Sequence, residues 1–172
     1  GGYDHGILVF GNTAEGRRST ITSGGGIVSI SGEGGGTGSA DFNTGVYVQN
    51  GGLIEAPSAE LLQIEGYGGK AAGIRNYGVW VAGAANDQVA EISSRGGIVD
   101  INGVGGGSAS EESEHNWGVV VQYGGKLEGP EDSPLSVSAT GGESGGVSNS
   151  GIWVGHSSTD GNFDATITSR GG

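Results

Sequence analysis

The chain has 172 residues, of which 41 are glycine and 33% are hydrophobic, and its formal net charge at pH 7 is −12. The lack of cysteine excludes disulfides, thiolate metal sites and cysteine nucleophiles, and seven lysines and arginines are too few for a nucleic-acid partner. Three prolines exclude a collagen-like chain, and no apolar run reaches membrane-spanning length, so we expect no direct membrane insertion. Because glycine costs backbone entropy in every regular element, we expect order to come from repetition.

Five similar segments follow one another along the chain, with the pattern Asn-x-Gly-(Val/Ile)-x-Val. They begin at Asp4, which takes the place of the asparagine, and at Asn43, Asn76, Asn116 and Asn149. The glycines of the pattern are 39, 33, 40 and 33 residues apart, so long and short units alternate in a double repeat of 72 or 73 residues. A repeat of this length is typical of solenoids.

Each unit contains three predicted strands, the first of which is the strand of the pattern itself. The second lies at 20–22, 53–55, 91–93, 126–128 and 166–168, and the third at 28–30, 62–64, 99–101 and 135–137. Apolar and polar residues alternate within them, and clusters of Gly, Asn and Ser bound them, which indicates β-strands. Three strands make one triangular coil. No window keeps apolar residues at helical spacing for long enough to predict a helix.

Coils stacked about 4.8 Å apart would pair their backbone groups and cover each inward side chain. Two positions of the first strand repeat as such columns require: Ile7, Val46, Val79, Val119 and Ile152, then Val9, Val48, Val81, Val121 and Val154. We therefore predict an all-β chain, one continuous right-handed parallel β-helix (β-solenoid) over 1–172 with three strands and 33–40 residues per coil. The sequence stops in mid-repeat at 170–172, so we expect a longer repeat array and end-to-end self-association.

The turn before the first strand carries a similar residue in every unit: Asp4, Asn43, Asn76, Asn116 and Asn149. Asparagine tolerates the left-handed conformation, and its amide can bond both its own turn and the same residue one coil away. We therefore predict a structural ladder of these side chains along the turns. Glycine clusters at 32–38, 66–69, 103–107 and 141–146 follow the third strand, and we expect the differences in unit length to lie there, with 107–114 as a protruding loop.

The outward position of the first strand holds mostly large apolar residues: Leu8, Tyr47, Trp80, Val120 and Trp153. Such a column would stack on sugar rings, pack laterally against a neighbouring rod, or lie beneath a loop of its own coil. Tyr77 and Trp117 precede the repeat glycines and would extend it.

Other polar residues do not form a recognisable site. Calcium is compatible with the acidic composition, but no calcium-binding repeat motif is present, and Glu111, Glu112 and Glu114, like Glu131 and Asp132, are interpreted as solvated loop charges. His5, His115 and His156 lack Ser and Asp partners at matching offsets, and the carboxylates do not recur as a facing pair. We therefore expect no enzyme activity and no cofactor.

The segment 96–103, followed by Asn-x-Gly-Val-x-Val, resembles the glycine-rich repeats of filamentous-haemagglutinin-like and autotransporter-type bacterial surface proteins. The resemblance implies a secreted or surface-displayed right-handed β-helix within a longer polypeptide, used for adhesion, as a stalk or as a fibre. It implies no catalytic residues. The expected function is thus a structural extracellular rod or fibre segment that serves as a scaffold for adhesion or for filament or sheath formation. The alternatives are an adhesin that binds surface glycans through Tyr47, Trp80 and Trp153 and, more remotely, a polysaccharide-acting enzyme.

Overall fold

The computed structural model describes residues 3–11, 17–84, 88–109, 113–143, 145–155 and 164–170. These residues form short strands and turns, and they contain no helix, hence none long and apolar enough to cross a membrane. The strands are β1 (Ile7–Phe10), β2 (Thr20–Thr22), β3 (Val28–Glu33), β4 (Val46–Gln49), β5 (Leu53–Ala56), β6 (Leu62–Tyr67), β7 (Val79–Ala82), β8 (Glu91–Ser94), β9 (Val99–Val104), β10 (Val119–Gln122), β11 (Lys126–Glu128), β12 (Leu135–Thr140), β13 (Ile152–Gly155) and β14 (Thr166–Thr168).

The strands form three parallel sheets that run along one axis. The first sheet has the order β1-β4-β7-β10-β13, the second β2-β5-β8-β11-β14, and the third β3-β6-β9-β12. Each strand therefore pairs with the strand three places further along the chain, and three successive strands make one coil. Coils 1 to 4 are β1–β3, β4–β6, β7–β9 and β10–β12, and coil 5 contains β13 and β14. The predicted all-β solenoid with three strands per coil is confirmed.

The spacing of the sequence repeat is also the register of strand pairing. Val46 pairs with Ile7 on one side and with Val79 on the other, and in the other two sheets too each strand pairs with the equivalent strand of the next coil, for example Ile21 with Ile54 and Ile30 with Ile64. Like side chains therefore lie over like side chains, and the inward residues of the middle coils are fully buried, as the columns predicted. The last coil is more open, since Ile152 and Val154 belong to the same columns but are 43% and 45% exposed.

The difference between long and short units lies mainly in a connection where it was not predicted. Nine residues separate β1 from β2 and eight separate β7 from β8, whereas three separate β4 from β5 and β10 from β11. The connections after the third strand differ less, with 12, 11, 14 and 11 residues. The short units turn tightly because two successive residues take left-handed conformations, Asn50-Gly51 in coil 2 and Tyr123-Gly124 in coil 4. Part of the predicted protruding loop, 110–112, lies outside the described residues.

The glycine clusters after the third strand have a different role from the predicted one. The first described glycine past each third strand lies against the backbone of the turn that carries the Asn or Asp residue. A Cβ at Gly34, Gly68, Gly105 or Gly141 would meet the carbonyl oxygen of the Asn residue that follows in the same coil connection. Glycine is required there because the chain passes too close to the ladder turn for any side chain.

Candidate functional site

The predicted turn residues lie one above another and are joined by hydrogen bonds. The backbone N–H of each donates to Oδ1 of the asparagine in the next coil, so that the ladder links all five coils. The N···O distances are 3.1 Å for Asp4 to Asn43, 3.0 Å for Asn43 to Asn76, 2.7 Å for Asn76 to Asn116 and 2.9 Å for Asn116 to Asn149. The three middle asparagines are fully buried, so the two bonds that join them, Asn43 to Asn76 and Asn76 to Asn116, lie out of reach of water.

The asparagine side chains of the ladder also close their own turns. Asn43 Nδ2 donates to the Ala40 carbonyl at 3.0 Å, and Asn76 Nδ2 donates to the Gly73 carbonyl at 3.1 Å. Asn43 Nδ2 donates in addition to Asn76 Oδ1 at 2.9 Å. One amide therefore fixes a turn through its nitrogen and positions the preceding coil through its oxygen, which satisfies polar groups that would otherwise be costly to bury.

The left-handed residue of this turn is the one before the ladder residue and not the asparagine itself. Positive φ angles occur at the preceding residue in all five coils: Tyr3 (78°), Phe42 (59°), Arg75 (60°), His115 (54°) and Ser148 (63°). The chain reverses one residue early, which leaves the asparagine N–H directed along the axis to the next coil. A left-handed non-glycine residue costs about 1–2 kcal/mol, and the ladder bonds hold each of them in place.

The outward column of the first strand packs into a second, smaller hydrophobic cluster. The rings of Tyr47 and Trp80 are stacked, with centroids 3.9 Å apart and planes 1° apart. Trp80 meets Tyr77 edge-on at 5.1 Å, Tyr77 lies parallel to Trp117 at 5.6 Å, and Trp117 stacks on Trp153 at 4.9 Å. We call these five residues the aromatic stack. In coil 4 the outward strand position carries Val120, which has no ring. Tyr77 and Trp117, from the turns before the first strands, connect Trp80 to Trp153 there, so the stack continues from coil 2 to coil 5.

Burial in the aromatic stack decides among the three interpretations of the outward column. Tyr47 and Trp80 are only 7% and 9% exposed, and Val120 is fully buried. Burial raises the pKa of the Tyr47 and Tyr77 hydroxyls well above the ordinary value. Tyr47 and Trp80 are thus packed within their own chain and offer no ring face to a sugar, while Trp153 remains partly accessible.

A second outward apolar row, missed by the sequence reasoning, is exposed. It consists of the residue before the third strand in each of coils 1 to 4, and we call it the apolar ridge: Ile27, Leu61, Ile98 and Pro134. Backbone bonds keep its members in register, since the carbonyls of Leu61, Ile98 and Pro134 accept from the next inward residue of the neighbouring coil at 2.9–3.1 Å. Ile27 is 60% and Ile98 46% exposed. The available signal was an apolar residue at the same outward position in four coils.

A charged cleft of about 670 Å³ lies beside the second sheet, lined by four glutamates, one aspartate and two arginines among other residues. Arg95 Nε donates to Glu55 at 2.5 Å, and Arg170 Nη2 donates to Glu128 at 2.8 Å. The pKa of Glu91, another carboxyl of the cleft, is lowered. Burial would raise this pKa, but hydrogen bonds from Arg18 and Ser93 and the positive charges of Arg18 and Lys126 outweigh the effect of burial. The Glu91 carboxylate is therefore held ionised, and Glu55 and Glu128 are each paired with an arginine.

The remaining polar residues are placed as follows. Glu131 and Asp132 are exposed at the rim of the charged cleft, and in the described part of the chain no three acidic or histidine side chains are grouped to hold a metal ion. His5 packs edge-on against Tyr47 at 5.0 Å, and His115 against Trp117 at 5.4 Å. His156, Glu111 and Glu112 lie outside the described residues.

Comparisons with protein-family models, with curated proteins and with solved structures find no match to this chain.

Proposed function

We propose that this chain is a rod segment of an extracellular or surface-displayed bacterial protein, with a structural role as a scaffold for adhesion or for filament or sheath formation. The observation that carries the proposal is that successive coils pair with the same register in all three sheets and through the same ladder. The strands and the ladder turn of each coil thus present to the next coil the same backbone groups that they pair with in the coil before, so the stack is extensible by about 4.8 Å per coil. An acidic chain rich in glycine and free of cysteine supports the location.

Two surfaces support self-association of such rods. Ile152 and Val154 of β13, which belong to the inward columns, are exposed and would be covered by a further coil, which favours end-to-end growth. The apolar ridge runs along the axis and lengthens with every coil, which favours side-by-side contact. The net charge of −12 repels neighbouring rods, so lateral association should strengthen as salt screens that charge.

Sedimentation velocity and negative-stain electron microscopy over a range of protein and salt concentrations test the lateral contact. We expect paired or bundled rods at high salt, and single rods when Ile27 and Ile98 are both changed to Ser. Val147→Ser is the matched control, because Val147 is 62% exposed but lies away from the ridge. Single rods under all conditions, or an equal effect of the control, would refute association through the ridge.

Location is tested separately in the producing bacterium. Antibodies raised against this segment should label intact cells or the medium, and protease added outside should remove the cell-bound signal. Labelling that requires permeabilised cells would contradict an extracellular role, whatever the outcome of the association experiment.

A further inference from the structure

Odd coils (1, 3 and 5) and even coils (2 and 4) share their cores but differ at their corners. The first difference is the connection from first to second strand, which is long in odd coils and a three-residue left-handed turn in even coils. Successive coils are about 4.8 Å apart, so coils of the same type, two apart along the rod, are separated by about 10 Å. The tight turn of an even coil leaves the corner beside it open to side chains from the long connection of the odd coil before it.

One side chain shows how the long connections use that space. Arg18, from the long connection of coil 1, donates through Nε to the Gly51 carbonyl of the coil 2 turn at 3.1 Å. It reaches past that turn and donates through Nη2 to Glu91 of coil 3 at 2.8 Å. An odd coil thus contacts the next odd coil directly across the tight turn of the even coil between them. A long connection in coil 2 would occupy this path.

The second difference lies at the corner between second and third strands, where each junction between coils has one side-chain link. Even coils donate a serine hydroxyl to a glycine carbonyl of the coil before, Ser58 to Gly25 at 3.0 Å and Ser133 to Gly96 at 2.9 Å. Odd coils 3 and 5 donate an arginine to a glutamate of the coil before. These are the Arg95–Glu55 and Arg170–Glu128 pairs of the charged cleft. The two links alternate along the rod, as the sequence alternates in its double repeat.

From these contacts we infer that the corners form a stacking code: a coil accepts as its neighbour a coil of the other type. The core cannot supply this selectivity, because valine lies on valine at every junction of β4, β7 and β10. The corners supply it. Glu55 pairs with Ser93, and Ser93 lies in register with Glu128, so two even coils in contact would place glutamate on glutamate, a destabilising like-charge pair.

The partner that this code defines for the exposed face of coil 5 is an even-type coil. It would carry a tight left-handed turn, a serine donor at the corner and a glutamate on its second strand, whether it belongs to the same polypeptide or to a second copy. The inference goes beyond the proposed function, since it concerns the order of coils and holds wherever the protein is located.

Two duplications in the full chain test the code. Inserting a second copy of residues 78–117 after Trp117 adds one coil and places an odd coil on an odd coil. Inserting a second copy of residues 78–150 after Ser150 adds two coils and preserves alternation. Native-state hydrogen exchange should show protected strand amides in every coil of the two-coil insertion. In the one-coil insertion, protection should be lost at the new junction. Equal protection in both insertions would overturn the inference.

Point variants decide the matter if neither insertion folds. Arg95→Glu faces Glu55 with a like charge, and we expect faster exchange of the β8 amides in this variant. Adding Glu55→Arg restores the opposite charges and should return exchange to the wild-type rate. The code is wrong if Arg95→Glu leaves the hydrogen-exchange rate of the β8 amides unchanged. It is also wrong if adding Glu55→Arg does not return that rate to the wild-type value, because the ion pair would then not select neighbours.

Discussion

Asn76→Ala should destabilise the middle of the rod, because this side chain holds two coils at once. Its Oδ1 accepts from the Asn43 N–H at 3.0 Å and from Asn43 Nδ2 at 2.9 Å. Alanine keeps the N–H that donates to Asn116, so the bonds lost are those toward coil 2 and the turn bonds from Nδ2 to the Gly73 and Ala71 carbonyls. Asn43 is fully buried, and a buried N–H without an acceptor costs about 1–3 kcal/mol. Since Asn43 Nδ2 keeps its bond to Ala40, we expect a total loss of about 2–3 kcal/mol.

Native-state hydrogen exchange measures this loss at the Asn43 amide itself, which matters because repeat proteins need not unfold in one step. Asn149→Ala is the matched control. It also removes one acceptor, that of the Asn116 N–H, but Asn149 is partly exposed and water can replace the bond, so a loss below about 1 kcal/mol is expected. Equal losses for the two variants, or an Asn43 amide that stays protected in Asn76→Ala, would refute the role assigned to the ladder.

Three further results are expected. Ser148→Gly should raise the denaturation midpoint, because φ is 63° there and the strain of about 1–2 kcal/mol exceeds the entropic cost of glycine of about 0.5–1 kcal/mol; a lower midpoint would argue against strain. Trp80→Ala should cost about 3–5 kcal/mol in thermal or chemical unfolding and Trp153→Ala clearly less, since Trp80 is 9% exposed and Trp153 more so; similar costs would contradict the burial pattern. Burial raises the pKa of Tyr47 and Tyr77 in the folded protein, so the fold favours their protonated forms. Their full contribution to the free energy of unfolding is present below about pH 10, the pKa of an unfolded tyrosine, and is lost as the pH rises above it. In an ultraviolet titration these two tyrosines should ionise only together with unfolding. Ionisation of all tyrosines near pH 10 while the protein stays folded would disprove this coupling.

Much of the fold was predictable because a solenoid makes its pairing register visible in the sequence. Stacking forces each inward position to face its equivalent in the next coil, so Val46, Val79 and Val119 recur at the offsets at which they pair. The ladder was predictable for the same reason, since Asn43 and Asn76 occupy the same offset. Its backbone geometry was not, because Phe42 and Arg75 share no side-chain chemistry that reveals a common left-handed conformation.

The location of the extra residues in long units could not be derived from the repeat. The repeat spacing gives only the total number of residues between two aligned segments, and does not show which connection holds the extra ones. The glycine clusters are typical of loops, so the extra residues were predicted there. Their glycines are instead required by close backbone contact, as at Gly68 against the turn of Asn76. The informative residues were in the short units, where Asn50-Gly51 is a known left-handed turn sequence. In the other short unit, Tyr123-Gly124 has the glycine of this turn sequence but not the asparagine.

The two outward apolar rows show why exposure could not be inferred from position alone. In the aromatic stack, rings from the preceding turn, such as Tyr77, reach over the strand and cover Trp80, so an outward column becomes a second core. On the apolar ridge the branched side chain of Ile27 follows a glycine run at a bend between sheets and is left 60% exposed. Ring size and distance from a turn therefore decide burial. For this reason partners of the rod should be sought along the ridge, while substitutions at Tyr47 or Trp80 should act first on folding.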